Sequence, residues 1–295
     1  MKLLPQHGRY DFVPLVERKD YSWPGPNGEK RRLAFLVTTN IEWFAFGSRL
    51  GNDPAKAGEP QTHRNYSWRD YGNRVGIWRL FDLLDELRLP AGHCTNSLIY
   101  DHAPQITDAI RRRGDEVIAH GRTNAENLRG LWQPDEERIL REVTDCIARH
   151  EGAAPAGWFG AGAYETPYTP DLLQELGYRY LMDWPMDDQP VWMRTRSGRI
   201  LSIPYPVETD DAQGVIHRRW SAAAFADAVV DQFDEMLRQS ETHPLVMNVS
   251  VHPYVFGQPF RVRQLRRALR HCAGRAAVWY CRPREIAEFC YGEAS

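Results

Sequence analysis

Leu245-Val246-Met247-Asn248-Val249-Ser250-Val251 is an apolar run of strand length that stops on His252. Three other runs end in the same way. Leu33-Ala34-Phe35-Leu36-Val37 leads to Asn40-Ile41-Glu42, Val117-Ile118-Ala119 leads to His120, and Tyr180-Leu181-Met182 leads to Asp183. In parallel β/α folds, ligands collect at the carboxyl ends of the strands, where the helix-capped sheet opens a pocket. Four polar residues remote in sequence are therefore expected to meet in one cavity. Gly157-Trp158-Phe159, Ile200 to Ile203 and Ala277 to Tyr280 read as further strands. Helical periodicity covers Asn73 to Leu87, Ile106 to Arg113, Pro134 to His150, Pro170 to Leu176, Ala222 to Arg238, Gln264 to Cys272 and Pro283 to Cys290. Pro134, Pro170 and Pro283 suit a first helical turn, where the missing N–H costs nothing. Seven or eight such units fit an α/β fold of the distorted (β/α) barrel type, with about seven strands, better than an open sheet.

The chain has 295 residues, 42% of them hydrophobic, enough for one large α/β unit. Residues 1–295 read as a single catalytic domain, with 1–32 as an N-terminal extension and 47–66 as a long Gly-, Pro- and Asn-rich loop at a pocket mouth or subunit contact. A net charge of −2 gives no field for nucleic acid or an anionic membrane. Arg111-Arg112-Arg113 and Arg266-Arg267 read as solvated helix faces. No signal-peptide core and no run of about 18 apolar residues is present, so a soluble, cytoplasmic protein is expected. The five cysteines, Cys94, Cys146, Cys272, Cys281 and Cys290, are odd in number and lack a C-x-x-C pair, which argues against a disulfide framework or a cysteine zinc site.

His120-Gly121-Arg122-Thr123-Asn124 separates an imidazole from an amide by four residues, about one helical turn if the segment coils, so both side chains would face one pocket. The competing reading makes Thr123 or Asn124 a helix cap and His120 a core histidine. This motif belongs to a larger set. Glu42, His120 to Asn124, Gly157-Trp-Phe-Gly-Ala-Gly162, Asp183-Trp184 with Asp187-Asp188-Gln189-Pro190, and Val251-His252-Pro253 occur in the order seen in the polysaccharide-deacetylase (NodB-like) superfamily. Trp68 to Gly76, Met193 to Gly198 and Ile203-Pro204-Tyr205 resemble its allantoinase-like and cyclic-imide-hydrolase-like branch. The similarity runs from about Tyr10 to Ala287.

The resemblance implies a distorted barrel that hydrolyses a carbon–nitrogen amide bond. Deacetylases of the superfamily hold a divalent cation with an aspartate and a His-x-x-x-His pair; the matching positions here are Glu42, His120 and Asn124. A catalytic zinc takes three His, Cys, Asp or Glu ligands, and an amide is a weak substitute. A metal-free site is therefore favoured, with zinc on Glu42, His120 and Asn124 as the alternative and His252 or Asp183 completing the shell. In the metal-free reading Glu42, flanked by Trp43, Phe44 and Phe46, is a base whose pKa burial raises. His120 or His252 donates a proton, and the resemblance implies that Asp183 orients His252. Asn40 and Asn124 stand beside these groups as substrate contacts. Arg69, Asn73 and Arg74 at a helix start are candidates for binding ring carbonyls, against a surface cluster with Asp70. Asp187 and Asp188 would accept ring N–H groups or cap a turn, and Tyr164, Trp184 and Tyr205 would wall a small ring or belong to the core.

The leading expectation is a hydrolase opening the C–N bond of a small cyclic amide, imide or ureide, such as a hydantoin, succinimide or allantoin. Glu208-Thr209-Asp210-Asp211 departs from the allantoinase-like pattern and argues against allantoin itself. The alternatives are a metal-dependent N-deacetylase of an acetylated sugar and a non-catalytic binding protein on the same fold. Relatives of this type look like homo-oligomers.

Overall fold

The computed structural model describes residues 8–18, 21–46 and 62–292. Among the described residues eleven strands form: β1 (Trp23–Pro24), β2 (Lys30–Arg31), β3 (Leu33–Ile41), β4 (Gly92–Thr95), β5 (Glu116–Ala119), β6 (Gly157–Trp158), β7 (Tyr180–Leu181), β8 (Val191–Thr195), β9 (Gly198–Ser202), β10 (Leu245–Val251) and β11 (Val278–Tyr280). β1 and β2 are a small antiparallel pair within the expected N-terminal extension. The large sheet runs β10-β3-β4-β5-β6-β7-β9-β8, with β11 on β3, and every neighbour pair except β8–β9 is parallel. The seven parallel strands from β10 to β9 curve until a single bridge, from Asp210 in the segment after β9 to Ser250 of β10, brings their two ends together, with β8 and β11 outside this ring. The result is a distorted (β/α) barrel of seven strands with an imperfect seam.

All nine residues of β3 and all seven of β10 are buried, as expected of parallel strands covered on both faces. Leu80, Leu83 and Leu84 of helix Ile77–Leu87 and Phe225, Val229 and Phe233 of helix Ala222–Gln239 pack against them in one apolar cluster. Helices at Pro104–Arg113, Gln133–Glu151, Thr169–Glu175, Pro259–Cys272 and Pro283–Tyr291 match the expected segments within a few residues. Strand β4 and antiparallel β8 were not expected. β4, Gly-His-Cys-Thr, lacks an apolar run and is a strand because both neighbours supply its hydrogen bonds. The expected long loop is corrected at its end, where His63–Tyr71 is a helix capped by the Thr62 side chain; residues 47–61 lie outside the described residues.

Register sets the site. Ile41, Thr95, Ala119, Trp158, Leu181 and Ser202 lie side by side in one row across six strands. The next residues, Glu42, Asn96, His120, Phe159 and Met182, therefore emerge at one level on the carboxyl rim. On the other side of β3, Thr39 pairs with Val251, which puts His252 level with Asn40.

Candidate active site

A cavity of about 650 Å³ opens at this rim, lined among others by Asn40, Glu42, Arg69, His120, Asn124, Tyr164, Asp183, Tyr205 and His252. Its floor is built around Glu42. The carboxylate Oε1 lies 3.7 Å from His120 Nε2 and 3.5 Å from His252 Nε2, and Asn124 Nδ2 donates to the same oxygen. Glu42 and His120 thus share one floor and do not sit on opposite rims.

Each of these groups is held from behind. His120 Nδ1 donates to the Phe159 carbonyl at 2.5 Å, so Nε2 is the nitrogen turned toward Glu42, and the ring stacks on Phe159, which in turn stacks on Tyr205. His252 Nδ1 lies 2.6 Å from Asp211 Oδ1, and the same carboxylate accepts the His252 backbone N–H at 3.0 and 2.9 Å. Asn73 Nδ2 donates to the Glu42 carbonyl at 2.8 Å. Gly72, Gly76 and Gly257 let the helix that follows Glu42 cross the Pro253–Phe256 turn backbone to backbone; a Cβ on Gly76 would lie 2.1 Å from the Pro253 carbonyl oxygen. This crossing and the Asn73 bond tie the turn after His252 and the Glu42 backbone to the same Gly72–Gly76 segment. Asn40 Nδ2 donates to Tyr205 Oη and to Ser250 Oγ, each at 2.9 Å, and Tyr205 donates to Asp210 Oδ2 at 2.9 Å, which ties the floor to the seam.

Burial pushes the Glu42 carboxyl up, but His252 and His120 together pull it below the ordinary range, to about 2. This reverses the expectation that enclosure would raise it: two imidazoles outweigh desolvation, and Phe46, one of the expected walls, is exposed. For His252 burial acts downward, yet Tyr254, Glu42 and Asp211 hold the ring well above its usual value. Asp211 is pushed up by burial to about 6 against the pull of His252. At neutral pH the floor is therefore a carboxylate facing an imidazolium whose other nitrogen is held by a second acid.

Several expected contacts fall elsewhere. Asp211, not Asp183, orients His252, because the Asp210–Ser250 bridge brings Asp211 beneath the ring, whereas Asp183 accepts from the Gly160 N–H at 2.8 Å. Arg74 is exposed and lies 3.9 Å from Asp70, the surface cluster weighed against a binding role. Asn73 sits behind Glu42 and does not line the main cavity. Trp184 donates to Glu165 at 2.7 Å and packs on Tyr10. Asp187 pairs with Arg18, and with Asp188 it lines a separate hollow of about 530 Å³ beside the seam. Arg69 is buried at the cavity wall with its guanidinium 4.0 Å from the Phe44 ring centroid. Residues 120–124 form no helical turn; Asn124 reaches the floor because its N–H bonds the Trp43 carbonyl at 2.9 Å. Asp211, Phe159 and Tyr254 were missed as site residues: Asp211 reaches its histidine from 41 residues away, a distance no local pattern signals.

No family model matches the chain. A Schizosaccharomyces pombe protein provisionally named as a polysaccharide deacetylase is 24% identical over 90% of this chain and 91% of its own length. Among solved structures, PuuE allantoinase superposes with a TM-score of 0.82 at 22% identity, covering 96% of this chain and 98% of its own. A Pseudomonas aeruginosa PAO1 protein, also provisionally named as a polysaccharide deacetylase, gives 0.80 at 24% identity, over 89% and 92% of the two chains. The chain has the polysaccharide-deacetylase superfamily fold. The divalent cation that the resemblance implies requires three converging donors, and the residues here do not fit one. Trp43 N–H donates to Asn96 Oδ1 at 2.8 Å, so Asn96 Nδ2 must donate onward, and it does so to Asn124 Oδ1 at 3.1 Å. Asn124 is thereby obliged to turn its N–H₂, a donor without a lone pair for a cation, toward Glu42. Among the described residues the one group of three His, Cys, Asp or Glu side chains with donor atoms within 4.8 Å of one another is Asp210, Asp211 and His252, so Glu42 and the two imidazoles do not close on a common point. In that group the Asp211 carboxylate is engaged by His252, and Asp210 accepts from Tyr205 and from Gln213 N–H. No helix among the described residues is long and apolar enough to cross a membrane.

Proposed function

We propose that this chain is a hydrolase that cleaves an amide C–N bond without a metal, its substrate a small cyclic amide, imide or ureide. The observation that carries the reading is the Glu42 carboxylate set between two imidazoles, with the Asn124 amide donor where a metal-binding relative would offer a second histidine. Glu42 Oε2 and His120 Nε2 are buried acceptors without a protein donor, which suits them to receive the protons of a nucleophilic water or a substrate N–H. Glu42 takes a proton from water as it attacks the carbonyl carbon, and the His252 imidazolium gives one to the departing nitrogen. The two transfers help each other. Once Glu42 has taken its proton, the charge that held His252 protonated is gone, so the imidazolium becomes a better acid as the bond breaks. Asp211 keeps the ring oriented, and Arg69 stands at the wall for a carbonyl oxygen of the ring.

N-deacetylation of an amino sugar is the second reading, and the names of the relatives favour it over ring opening. The donor set favours the first. The first reading takes the chain as one catalytic unit, working in the cytoplasm as a homo-oligomer on a small cyclic molecule. A turnover screen over hydantoin, dihydrouracil, succinimide, glutarimide, allantoin and an N-acetylglucosamine oligomer, with and without chelator, decides between them. Ring opening unchanged by chelation is expected. Deacetylation lost on chelation would establish the second reading, and inactivity on the whole panel would leave a binding protein.

A further inference from the structure

Asn96 takes no part in the chemistry just described. It is fully buried and stands behind the cavity floor rather than in it. Its amide meets two backbone groups of fixed polarity. The Trp43 N–H, which can only donate, gives to Asn96 Oδ1 at 2.8 Å, and the His120 carbonyl, which can only accept, takes from Asn96 Nδ2. A reversed Asn96 amide would set donor against donor and acceptor against acceptor, so the main chain forces this orientation.

The polarity is passed on. Asn96 Nδ2 also donates to Asn124 Oδ1 at 3.1 Å, which leaves Asn124 Nδ2 to donate to Glu42 Oε1. Asn124 is anchored independently, its N–H on the Trp43 carbonyl at 2.9 Å, so its side-chain amide can turn over while its backbone stays in place. Two backbone groups thus act through two amides on a single carboxylate oxygen. Glu42 Oε1 receives the donor, and Oε2 has no hydrogen-bond partner.

We infer that Asn96 is a positioning residue that sets the polarity of the Asn124 amide and thereby keeps a divalent cation off the Glu42–His120 floor. The inference rests on the metal-free reading of the site given above. Asn96→Asp should undo it. A carboxylate has the shape of the amide and still accepts the Trp43 N–H, but it has no proton for Asn124. Asn124 then turns its Nδ2 toward the new carboxylate and its Oδ1 toward Glu42 Oε1. His120 Nε2, itself without a hydrogen-bond partner, lies 3.7 Å from that oxygen. Three acceptors around one space are a donor set for a small divalent cation, whereas an amide N–H₂ in the same place is none.

The test is a Co²⁺ titration of the full-length protein at about pH 7, followed by visible absorption and calorimetry. Asn96→Asp is expected to bind Co²⁺ at least about tenfold more tightly than the wild type, and the double variant Asn96→Asp, Asn124→Ala to lose that gain. Asn96→Ala removes the same bonds to Asn124 and His120 without offering an acceptor, so it gains nothing; a merely structural role would make the two substitutions at Asn96 alike. No gain in Asn96→Asp, a gain shared by Asn96→Ala, or a gain that survives in the double variant overturns the inference. So does wild-type Co²⁺ binding that Asn124→Ala abolishes. A second readout needs no substitution at Asn96 and decides the matter even where Asn96→Asp does not fold. In protein labelled with ¹⁵N-asparagine, the Asn124 side-chain resonance, assigned by its loss in Asn124→Asp, should move in Glu42→Gln, because its acceptor loses a charge; an unmoved resonance places the N–H₂ elsewhere and overturns the inference. Ring opening insensitive to chelator with no cobalt gain would remove the role of Asn96 and leave the hydrolysis. A cobalt gain in a chain inactive on the whole panel would remove the hydrolysis and leave the role of Asn96.

Discussion

Two histidines of this protein are buried against aspartates and end in opposite charge states. His93, on β4, lies 3.0 Å from Asp115 and 2.7 Å from Thr39 Oγ1. Burial lowers it, and Arg113, bonded to the same Asp115 oxygen at 2.6 Å, weakens the one influence that would raise it. His252 has a similar aspartate but no arginine on it, and a second carboxylate, Glu42, faces its free nitrogen. A His–Asp pair is thus lowered where a guanidinium satisfies the acid, and raised where a further carboxylate faces the other ring nitrogen. The linkage to stability has opposite signs. The contribution of His252, raised in the fold, is complete below the ordinary imidazole pKa and is lost as pH rises through its folded value. That of His93, lowered in the fold, is complete above the ordinary value and is lost as pH falls below it.

The comparison breaks most sharply at Glu42. Glu42→Gln removes the proposed base and the charge that holds His252 protonated, and kcat is expected to drop at least about a hundredfold with circular dichroism unchanged; His252→Gln should match it. Turnover at the wild-type rate in Glu42→Gln would take Glu42 out of the mechanism. Asp211→Asn sharpens the contrast at a smaller cost of about tenfold in kcat, because His252 keeps Glu42 but loses its second acid. Its alkaline limb should move toward lower pH, and a rate profile superimposable on the wild type would show that Asp211 does not tune the ring. At the other pair, His93→Gln should leave kcat within about twofold while lowering the urea midpoint by an amount equivalent to about 1–3 kcal/mol, the cost of an unsatisfied buried partner. A catalytic loss there would erase the distinction between the two histidines.

Much of the site was legible from strand ends. His120 and His252 each follow an apolar run directly, and Glu42 comes five residues after Val37, the end of its run; the runs give both the strands and the direction in which they stop. Asn124 was legible by spacing, although the turn that carries it is irregular. Asp211 was not, since nothing near it in sequence marks a histidine on another strand; the single bridge at the seam makes that contact. The carboxylate pair at Asp187-Asp188 misled for the same reason. Its segment follows a strand whose end points into the cavity, but by residue 187 the chain has turned to the far side of the seam. The direction of the Glu42 shift was misjudged because the two imidazoles that outweigh its burial come from other strands and are not its neighbours in sequence.

By itself the sequence determined the barrel and the level of its rim, because apolar runs bounded by turns can pair in parallel only when helices cover both faces. It also determined which chemical groups stand at that rim. Tertiary structure alone decided which acid answers which base and which way the Asn124 amide turns. Those properties depend on distances of a few ångströms between residues brought together across strands, where electrostatic energies change steeply and the order of residues along the chain carries no measure of them.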